Sequence, residues 1–527
     1  MRAVIVIIFI FIFIFIILPG AVSQTVRLTE LEQRGKRIYL RGASDAGREI
    51  TALIGDGTTD VPAATLPCAS CHGADGRGRA EGGVIPSEIT WPHLAKTYGH
   101  QHADGRNHPA FTEASLMRAI TMGTDPAGNR LLAAMPKYQM TTDDLHALLA
   151  YLKRLGADHD PGVSDEVIRI GTILPATGPQ AEIGRAMKDV LAACFAEINA
   201  QGGVYQRRLE LRVIETTDAA QLRRQIEAQE IFALAGSLMP GSETAIAAQL
   251  EQAEVPLIGP FTLQPQTGAT VNRQIFYLFS GLAEQARALV SFTAQAKADQ
   301  PPRAAIVYAE TETARQIVAA IEDEYRLKND AKPVQFGFAP DAFAAAQVVS
   351  RMQQNQVSEV YFIGSGAQLA AVVSEAEKLK WQPRFLMPGA LAGRDVFNVP
   401  PSAAARIFLS WPTLPADHTR AGLKEMTRLL SQHQVSLRHA PAQIAAFCAA
   451  RLLIEGLQRS GRELSREKLI AALEKFYEFR TELTPPLSYG PNHRIGALGA
   501  YIVTLDPAAK TFIPVGDWIS LRRSPAD

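Results

Sequence analysis

The stretch Cys68-Ala69-Ser70-Cys71-His72 constrains this 527-residue chain more than any other feature of its sequence. The pattern C-x-x-C-H is typical of the site at which a c-type haem is attached. Two thiols at this spacing form thioethers with the two vinyl groups of one porphyrin, and the next residue lies beneath the iron as an axial ligand. The motif therefore predicts one covalently bound haem c, held by Cys68 and Cys71, with His72 on the iron.

Two other chemistries use the C-x-x-C spacing, namely thiol–disulfide exchange and zinc binding. A redox-active pair is expected after a strand, whereas Leu66-Pro67 precedes this motif and Gly73-Ala74-Asp75-Gly76 follows it. A zinc site needs a second pair of ligands, and the sequence contains no second C-x-x-C. Haem attachment is therefore the better interpretation.

Composition and length indicate a folded protein of several domains. The chain is 47% hydrophobic and 20% charged, with a formal net charge of zero. Such a composition is typical of globular proteins, and 527 residues are too many for one ordinary domain. Because no excess of basic residues is available for a polyanion, we do not expect nucleic acid as a partner.

Residues 1–23 have the layout of a secretory signal peptide. One Arg precedes an apolar run over residues 3–18, and Pro19-Gly20 and small residues then favour cleavage after Ser23. An uncleaved membrane anchor is the alternative, although a bilayer span needs roughly 20 residues. Export fits a c-type haem, which bacteria attach outside the cytoplasm, so we expect a periplasmic protein.

Residues 25–156 are predicted to form an all-α domain. The segment opens with the amphipathic pattern LTELEQRGKRIYLRG and closes with TTDDLHALLAYLKRLG, where Thr141 or Thr142 caps the helix. In these two helices, and in CASCHG, FTEASLMRAITMG and AAMPKY, it resembles the class I cytochromes c. The resemblance implies that the first and last helices pack on each other over the haem, and that the domain transfers single electrons.

The resemblance also implies an axial methionine in the loop before the last helix. Met135, which a proline follows, occupies that place, so we expect His72 and Met135 to coordinate the iron. Met140 is a rival, whereas Met117 and Met122 are expected in the core. A bis-histidine iron is a further alternative, in which the sixth ligand would be one of four histidines: His93, His100, His102 and His108. Residues 101–109, however, are predicted to form a solvated loop.

The chain beyond this domain changes its pattern. Residues 157–166 are polar, contain Pro and Gly and lack periodicity, so they are predicted to form a linker. From residue 167 to 527, buried strands alternate with amphipathic helices, beginning with VIRIGTILP and IGRAMKDVLAACFAEINAQGG. The alternation predicts an α/β fold with parallel sheets, and its length predicts two lobes. Cys194 and Cys448 lie in apolar helical patterns here and are expected to be buried and unpaired, with a disulfide as the alternative.

The α/β segment resembles the periplasmic Leu/Ile/Val-type proteins, the type I substrate-binding proteins of ABC importers. The resemblance rests on IRIGTILPATGPQAEIGRAMKDVLAACFAEINAQGGVYQRRLELRVIETTD, VPLIGPFTLQP and EVYFIGSGAQLAAVVSEAEKLKWQPRFLMPG. It implies two lobes joined by several crossovers, with a small molecule in the cleft. It also implies ligand contacts at Gly241, Ser242 and Thr262, where the family holds a carboxylate by a hydroxyl and backbone N–H groups. A plain helix N-cap is the alternative role for Ser242.

Two loops depart from the amino-acid binders of that family. Residues 389–393 contain no carboxylate, although those proteins usually carry an acidic residue there for the ligand ammonium. Glu310 and Glu312 flank Thr311 where the family often has an aromatic residue. A buried, unpaired ammonium is costly. Unless one of these glutamates replaces the missing carboxylate, we expect a neutral or acidic small molecule rather than an ordinary amino acid.

The sequence thus predicts an electron carrier fused to a ligand-binding protein, and not an enzyme. The most economical link is a periplasmic dehydrogenase or oxidase that oxidises the captured molecule and passes electrons to the haem. The alternative is the receptor of an ABC importer, docking to a permease, with an accessory or sensory haem. A haem peroxidase is not expected, because Met135 would fill the sixth position on the iron and no second C-x-x-C-H is present.

Overall fold

The chain folds into two compact units, Met1–His159 and Asp160–Asp527. A computed structural model describes residues 28–44, 49–55, 59–78, 86–102, 105–156, 160–216, 218–239, 243–266, 272–295 and 302–521. The predicted signal peptide and residues 157–159 of the predicted linker lie outside these ranges. The rest of that segment belongs to the second unit, where Val163 is buried and the Asp160 carboxylate accepts a hydrogen bond from the backbone N–H of Arg466.

The first unit is mainly helical, as predicted. Its described helices are α1 Glu30–Arg41, α2 Cys68–His72, α3 Trp91–Leu94, α4 Glu113–Met122 and α5 Thr142–Leu152. Short strands, which the sequence analysis missed, lie between them: β1 Thr51–Ile54, β2 Thr59–Pro62, β3 His100–Gln101, β4 Asn107–His108 and β5 Lys137–Gln139. β1 pairs antiparallel with both β2 and β5, and β3 pairs antiparallel with β4.

The first and last helices of this unit pack against each other. Thr29 and Thr141 cap them, because each hydroxyl accepts a hydrogen bond from a backbone N–H in the first turn. At the crossing, a Cβ on Gly35 would lie 1.9 Å from the carbonyl oxygen of Ala147, so only glycine permits the approach. The core around them consists of buried apolar side chains, including Ile38, Tyr39, Leu148, Leu149, Tyr151 and Leu152.

A buried carboxylate also connects α1 to α5. Asp144 accepts hydrogen bonds from Arg34 Nη2 at 2.6 Å, Ser44 Oγ at 2.6 Å and Thr141 Oγ1 at 2.8 Å. Burial alone would raise the pKa of Asp144, but the bonds from Ser44 and Thr141 and the ion pair with Arg34 hold that pKa below its ordinary value. The ionised carboxylate therefore stabilises the unit at neutral pH.

The second unit alternates strands and helices. Its strands are β6 Val167–Ile173, β7 Arg208–Ile214, β8 Ala233–Ala235, β9 Leu257–Ile258, β10 Ile275–Phe279, β11 Ala304–Ala309, β12 Val334–Phe338, β13 Glu359–Ile363, β14 Arg384–Pro388, β15 Ile407–Trp411, β16 Ile495–Ala497, β17 Gly499–Asp506, β18 Thr511–Pro514 and β19 Ile519–Ser520. Its helices are α6 Ala181–Ala200, α7 Ala219–Ala228, α8 Glu243–Ala253, α9 Leu282–Gln295, α10 Glu312–Leu327, α11 Ala345–Gln354, α12 Gly366–Lys378, α13 Gly389–Ala392, α14 Arg420–Gln432, α15 Ala440–Ser460 and α16 Arg466–Leu473.

These strands form two sheets, one in each of two lobes. The first sheet is parallel, in the order β16-β10-β9-β8-β6-β7. The second sheet has the order β12-β11-β13-β14-β15-β17-β18, and β19 also pairs with β17. Its strands are parallel from β12 to β15, whereas β17 is antiparallel to β15. Apolar clusters bury both faces of each sheet under helices. The predicted two-lobed α/β fold is confirmed.

Three crossovers connect the lobes in the described chain: from β10 to α9, from β15 to α14 and from β16 to β17. Buried Ser280 ties two of them together, because its hydroxyl donates to the Ala497 carbonyl at 3.1 Å and accepts from the Gly499 N–H at 2.8 Å. Gly499 has φ +151°, and a Cβ there would lie 2.2 Å from a carbonyl oxygen of β19. In the crossover from β15 to α14, Asp417 Oδ1 accepts a hydrogen bond from the Tyr501 hydroxyl at 2.6 Å.

The two remaining cysteines lie in the core of the first lobe. Cys194 on α6 and Cys448 on α15 are buried and not bridged, and burial raises the pKa of Cys448 to about 12. Among the described residues, α15 is the helix whose length and apolar composition would allow it to cross a membrane, but 67% of its apolar window is buried inside the protein. Its composition reflects a central place in the core.

Candidate functional site

The haem motif forms a single short helix, α2. Cys68 and Cys71 are three residues apart and therefore lie on the same side of the helix, with His72 directly after them. Pro67 stands at the N-cap, and a 3₁₀ turn precedes it rather than the strand expected before a redox-active pair. Gly76, at φ +75°, lets the chain turn back after the helix. The local structure thus places both thiols and the imidazole together.

The orientation of His72 is fixed by its second ring nitrogen. Nδ1 lies 2.9 Å from the backbone carbonyl oxygen of Ser87. Because a carbonyl can only accept, Nδ1 carries the proton, and Nε2 keeps the lone pair that a metal requires. The residue is 8% exposed, and burial lowers the pKa of His72, which favours the neutral ring that coordinates iron.

The thiols do not resemble those of a redox-active pair. Burial raises the pKa of Cys68 to about 12, whereas Cys71 is exposed. A catalytic C-x-x-C needs one thiol whose pKa is lowered, so that the reactive thiolate is available. The half-buried, protonated Cys68 fits attachment to a haem vinyl group better than disulfide exchange.

The four methionines singled out in the first unit fall into two environments. Met135 ends a turn in which its N–H donates to the Leu132 carbonyl at 2.9 Å, directly before β5. Met135, Met140 and Met117 are half-buried against the core of the unit. Met122 was expected in the core, but it is 63% exposed because it lies on the outer side of the last turn of α4. Both candidate axial methionines therefore flank β5.

The four histidines of the bis-histidine alternative pack against one another. β3 and β4 form a hairpin, His108 is 6% exposed, and His93, His100 and His102 are half-buried. The His100 ring centroid lies 4.9 Å from that of His93 and 5.0 Å from that of His108. The prediction of a solvated loop over residues 101–109 is wrong for His102 and His108, because the pairing of β3 with β4 brings their rings to a centroid distance of 5.0 Å.

Thr262 lies at the carboxyl end of the first parallel sheet, where such sheets bind ligands. Gly241 and Ser242, the other predicted ligand residues, lie outside the described residues. The Thr262 hydroxyl donates to Glu243 Oε1 at 3.2 Å and accepts from the Gln264 N–H at 3.0 Å. Sequence reasoning did not single out Glu243, although its position directly after Ser242 at the start of α8 was a signal.

Gln264 connects the two lobes. Its side-chain Nε2 donates to Thr313 Oγ1 at 2.9 Å, and Thr313 lies in the first turn of α10, in the second lobe. The Gln264 carbonyl accepts from Gln266 Nε2 at 2.9 Å, and Thr244 of α8 donates to Gln266 Oε1 at 2.8 Å. These bonds form a polar chain from α8 to α10, so the lobes touch at this point of the cleft.

Residues 389–393, predicted as a loop without a carboxylate, form the short helix α13 and the glycine that ends it, and the Trp411 ring packs against Gly389. A Cβ on Gly389 would lie 2.3 Å from the indole of Trp411, which ends β15. Trp411 Nε1 is buried and has no hydrogen-bond partner among the described residues. Glu312 is 77% exposed and pairs with an arginine of α10. Glu310 lies beside Gly337 of β12, which is three strands away from β14, the strand that ends just before Gly389. Both glutamates therefore lie away from Gly389.

Family models match both units of the chain. Residues 167–510, more than half of the chain, match the periplasmic binding protein family, and residues 63–156 match the cytochrome c family. The cytochrome c domain implies a covalently bound haem c, and the donor set of α2 fits it. The binding domain implies a small-molecule ligand, and proteins of both families are typically exported to the periplasm.

Individual relatives agree with the match to the binding family. The Leu/Ile/Val-binding protein of Escherichia coli K12 is 20% identical over 253 residues, which are 47% of this chain and 68% of that protein. A branched chain amino acid ABC transporter structure from Thermus thermophilus with bound valine is 15% identical, with a TM-score of 0.52, over 67% of this chain and 97% of that one. The structure of the fatty acid ABC transporter substrate-binding protein from Thermomonospora curvata is 17% identical, with a TM-score of 0.51, over 68% of this chain and 93% of that one. At these identities, the solved structures show a shared fold. The chain therefore belongs to the periplasmic binding protein family, and it carries a cytochrome c domain ahead of its binding unit.

Proposed function

We propose that this protein is an exported single-electron carrier with one haem c, whose binding unit captures a small molecule for a periplasmic oxidation. Cys68 and Cys71 would hold the haem by thioethers, and His72 and Met135 would coordinate its iron. The observation that carries the proposal is the Nδ1 hydrogen bond from His72 to Ser87, which leaves Nε2 available beside two thiols on one helical turn. When bound, the haem supplies a reversible Fe³⁺/Fe²⁺ couple.

The proposed role is that of a carrier and binding protein, not an enzyme. An axial Met135 would leave no open iron position for peroxide. Export completes the proposal, with residues 1–23 removed as a signal peptide and the mature chain beginning at Gln24. Mass measurement of the purified chain tests the cleavage site, and a full-length N-terminus would instead support a membrane anchor.

The cleft favours a neutral ligand that is not an ordinary amino acid. No carboxylate is present in residues 389–393 to pair with an ammonium, and the Trp411 ring lies against this loop. At the first-lobe end, Glu243 would repel a ligand carboxylate placed against Thr262, whereas a hydroxyl or amide donor could bond to it. Ligands without an ammonium are compatible with the fold, since the Thermomonospora curvata structure is of a fatty acid ABC transporter substrate-binding protein.

The test follows electrons from the ligand to the haem. The protein is purified from a host that attaches haem c, and the co-purified small molecule is identified by mass spectrometry. That molecule is then added to a periplasmic extract of the host containing the oxidised protein, and ferrous haem is followed by absorbance. We expect ligand-dependent reduction that becomes slower in a Glu243→Gln, Thr262→Val variant. Haem that stays oxidised while the ligand binds would contradict the proposed link to a dehydrogenase.

A second candidate function is that of receptor for an ABC importer with an accessory haem. The solved structures of similar fold favour it, because the Thermus thermophilus and Thermomonospora curvata proteins are both described as ABC transporter components. This function predicts docking of the binding unit to a permease and uptake that survives in a Cys68→Ser, Cys71→Ser variant. Uptake that requires the haem would favour the electron-carrier proposal instead.

A further inference from the structure

A cavity of about 300 Å³ lies beside the crossover from β16 to β17. Its described lining includes Leu498 of that crossover but neither Thr262 nor Gln264 of the cleft. β16 is the edge strand of the first sheet, whereas Thr262 lies beyond the end of β9, which is two strands further in. The cavity is therefore a separate space at the side of the hinge, and its volume is at the lower end of small-molecule sites, which measure about 300–1,000 Å³.

Both lobes contribute walls to this cavity. Pro485 and Pro486 belong to the segment between α16 and β16, in which Leu487 is part of the first-lobe core. On the other side, Trp518 directly precedes Ile519 of β19, which is part of the second-lobe core. A molecule in the cavity would therefore contact both lobes and the chain that crosses between them.

Two aromatic rings form one corner of the cavity. The ring centroids of Tyr501 and Trp518 lie 4.8 Å apart with an interplanar angle of 73°, so the rings stand nearly at right angles. The Trp518 indole packs against Gly499 of the crossover, where a Cβ would lie 2.8 Å from it. The Tyr501 hydroxyl donates to Asp417 Oδ1 at 2.6 Å, and this bond to a carboxylate polarises the ring toward negative charge. An aromatic corner of this kind attracts cations.

The charge in the lining is negative. Among the described residues that line the cavity, Glu478 is the only charged one. Its backbone is fixed, because the Glu478 N–H donates to the hydroxyl of buried Ser488 at 2.8 Å. Apart from the two rings and Ser520, the rest of the described lining consists of two prolines, an alanine and a leucine. A methylated cation fits these walls better than a primary ammonium, because it has apolar surface to bury and fewer N–H groups that need acceptors.

We propose that this hinge cavity binds a small methylated ammonium ion, with Tyr501 and Trp518 against its methyl groups and Glu478 balancing its charge. Aromatic cages recognise quaternary ammonium groups through the attraction between the cation and the faces of the rings. The site is separate from the cleft, so its ligand is additional to the molecule that is captured there.

The experiment compares a cation with a neutral molecule of the same shape. The haem-loaded full chain is titrated calorimetrically with choline and with the neutral alcohol in which a carbon atom replaces the choline nitrogen. We expect one choline per chain and about tenfold weaker binding of the alcohol, which is the range of a desolvated cation–π contact. Trp518→Leu should weaken choline binding by about tenfold, and Glu478→Gln by about twofold to fivefold, because it removes one exposed charge.

Controls separate this cavity from other sources of binding. Tyr477→Leu changes a neighbouring ring that is 78% exposed and does not line the cavity, so the affinity for choline should stay the same. Because Trp518→Leu could disturb the hinge, Trp518→Phe keeps a ring and should recover most of the binding, and circular dichroism reports folding.

Three results would overturn the proposal. The first is that choline does not bind, or binds no more tightly than its neutral analogue. The second is equal affinity for choline in Trp518→Leu, Glu478→Gln and the natural chain. The third is choline binding that is lost in a Glu243→Gln, Thr262→Val variant and kept in Trp518→Leu, because the cation would then lie in the cleft.

Discussion

At the scale of single residues, the haem site depends on how one imidazole is held. The Ser87 carbonyl fixes the proton of His72 on Nδ1, and burial keeps the ring neutral. Tyr39 supports the same turn, since its hydroxyl donates to the Gly73 carbonyl at 2.6 Å. The imidazole proposed to coordinate iron is therefore oriented by two protein groups, and its environment can be tested separately from the proposed thioethers.

Haem attachment is tested by removing the thiols. Cys68→Ala or Cys71→Ala removes one thioether, so each variant should lose normal two-link attachment, and the double variant should lose covalent haem completely. Denaturing electrophoresis with haem staining measures this, and Cys448→Ala is the matched control that should keep full staining. Full staining of the double variant would refute the assignment of both cysteines.

The axial ligand is tested by comparing two methionines that flank β5. Met135→Ala should lower the reduction potential, open the iron to added ligands and remove the Met–Fe charge-transfer band of the ferric spectrum, because a thioether stabilises ferrous iron. Met140→Ala should keep the band. If the Met140 variant alone loses it, Met140 and not Met135 is the ligand.

Part of the site was predictable at this scale and part was not. Cys68, Cys71 and His72 lie within five consecutive residues, so local spacing alone brings them together. Glu243 and Thr262 are brought together by two separate strands of a parallel sheet, and no local pattern marks such a pair. Trp411 likewise reaches the loop at residue 389 because β15 lies beside β14, a neighbour relation that only the fold provides.

At the scale of elements, the contact between α1 and α5 holds the first unit together. Both helices could be predicted, because Thr29 and Thr141 are capping residues and the apolar faces follow a helical period. The strands of this unit, such as β3 and β4 with two residues each, are too short to show a period of two. The sequence pattern of residues 101–109 therefore predicts a solvated loop. In the structure, β3 and β4 pair there, the His100 and His108 rings are in contact and His108 is buried.

The buried carboxylate between these helices gives a pH prediction. Asp144→Asn should lower the free energy of unfolding of the first unit at pH 7 by about 1–3 kcal/mol, because charged partners lose their acceptor. The folded-state pKa of Asp144 is lowered, so its contribution is complete above the ordinary aspartate pKa of about 4 and is lost as pH falls through the folded pKa. Urea unfolding followed by haem absorbance at several pH values checks this.

The same measurement contains its own control. The asparagine variant cannot ionise, so its stability should fall less steeply than that of the natural chain below about pH 4. An equal pH dependence in both proteins would show that the ionised Asp144 carboxylate does not provide this pH-dependent stabilisation. Arg34→Gln should also destabilise the unit, since it leaves Asp144 buried without its ion-pair partner.

At the scale of the whole molecule, the proposed choice of ligand depends on residues from both lobes of the binding unit. Leucine, isoleucine and valine should bind the binding unit weakly or not at all, because residues 389–393 provide no carboxylate and Glu310 and Glu312 lie away from them. Isothermal titration of the full chain with each amino acid measures this. Micromolar or tighter leucine binding would restore an ordinary amino-acid receptor.

The central claim is that this chain carries single electrons on one covalently bound haem with a histidine and a methionine on its iron. A spectroelectrochemical titration of the purified full chain tests it most directly, because it follows haem absorbance as the applied potential is changed. The account predicts one reversible one-electron transition, equivalent to one haem per chain, with a Met–Fe charge-transfer band that disappears on reduction. Two transitions, or a ferric spectrum without that band in the natural chain, would contradict it.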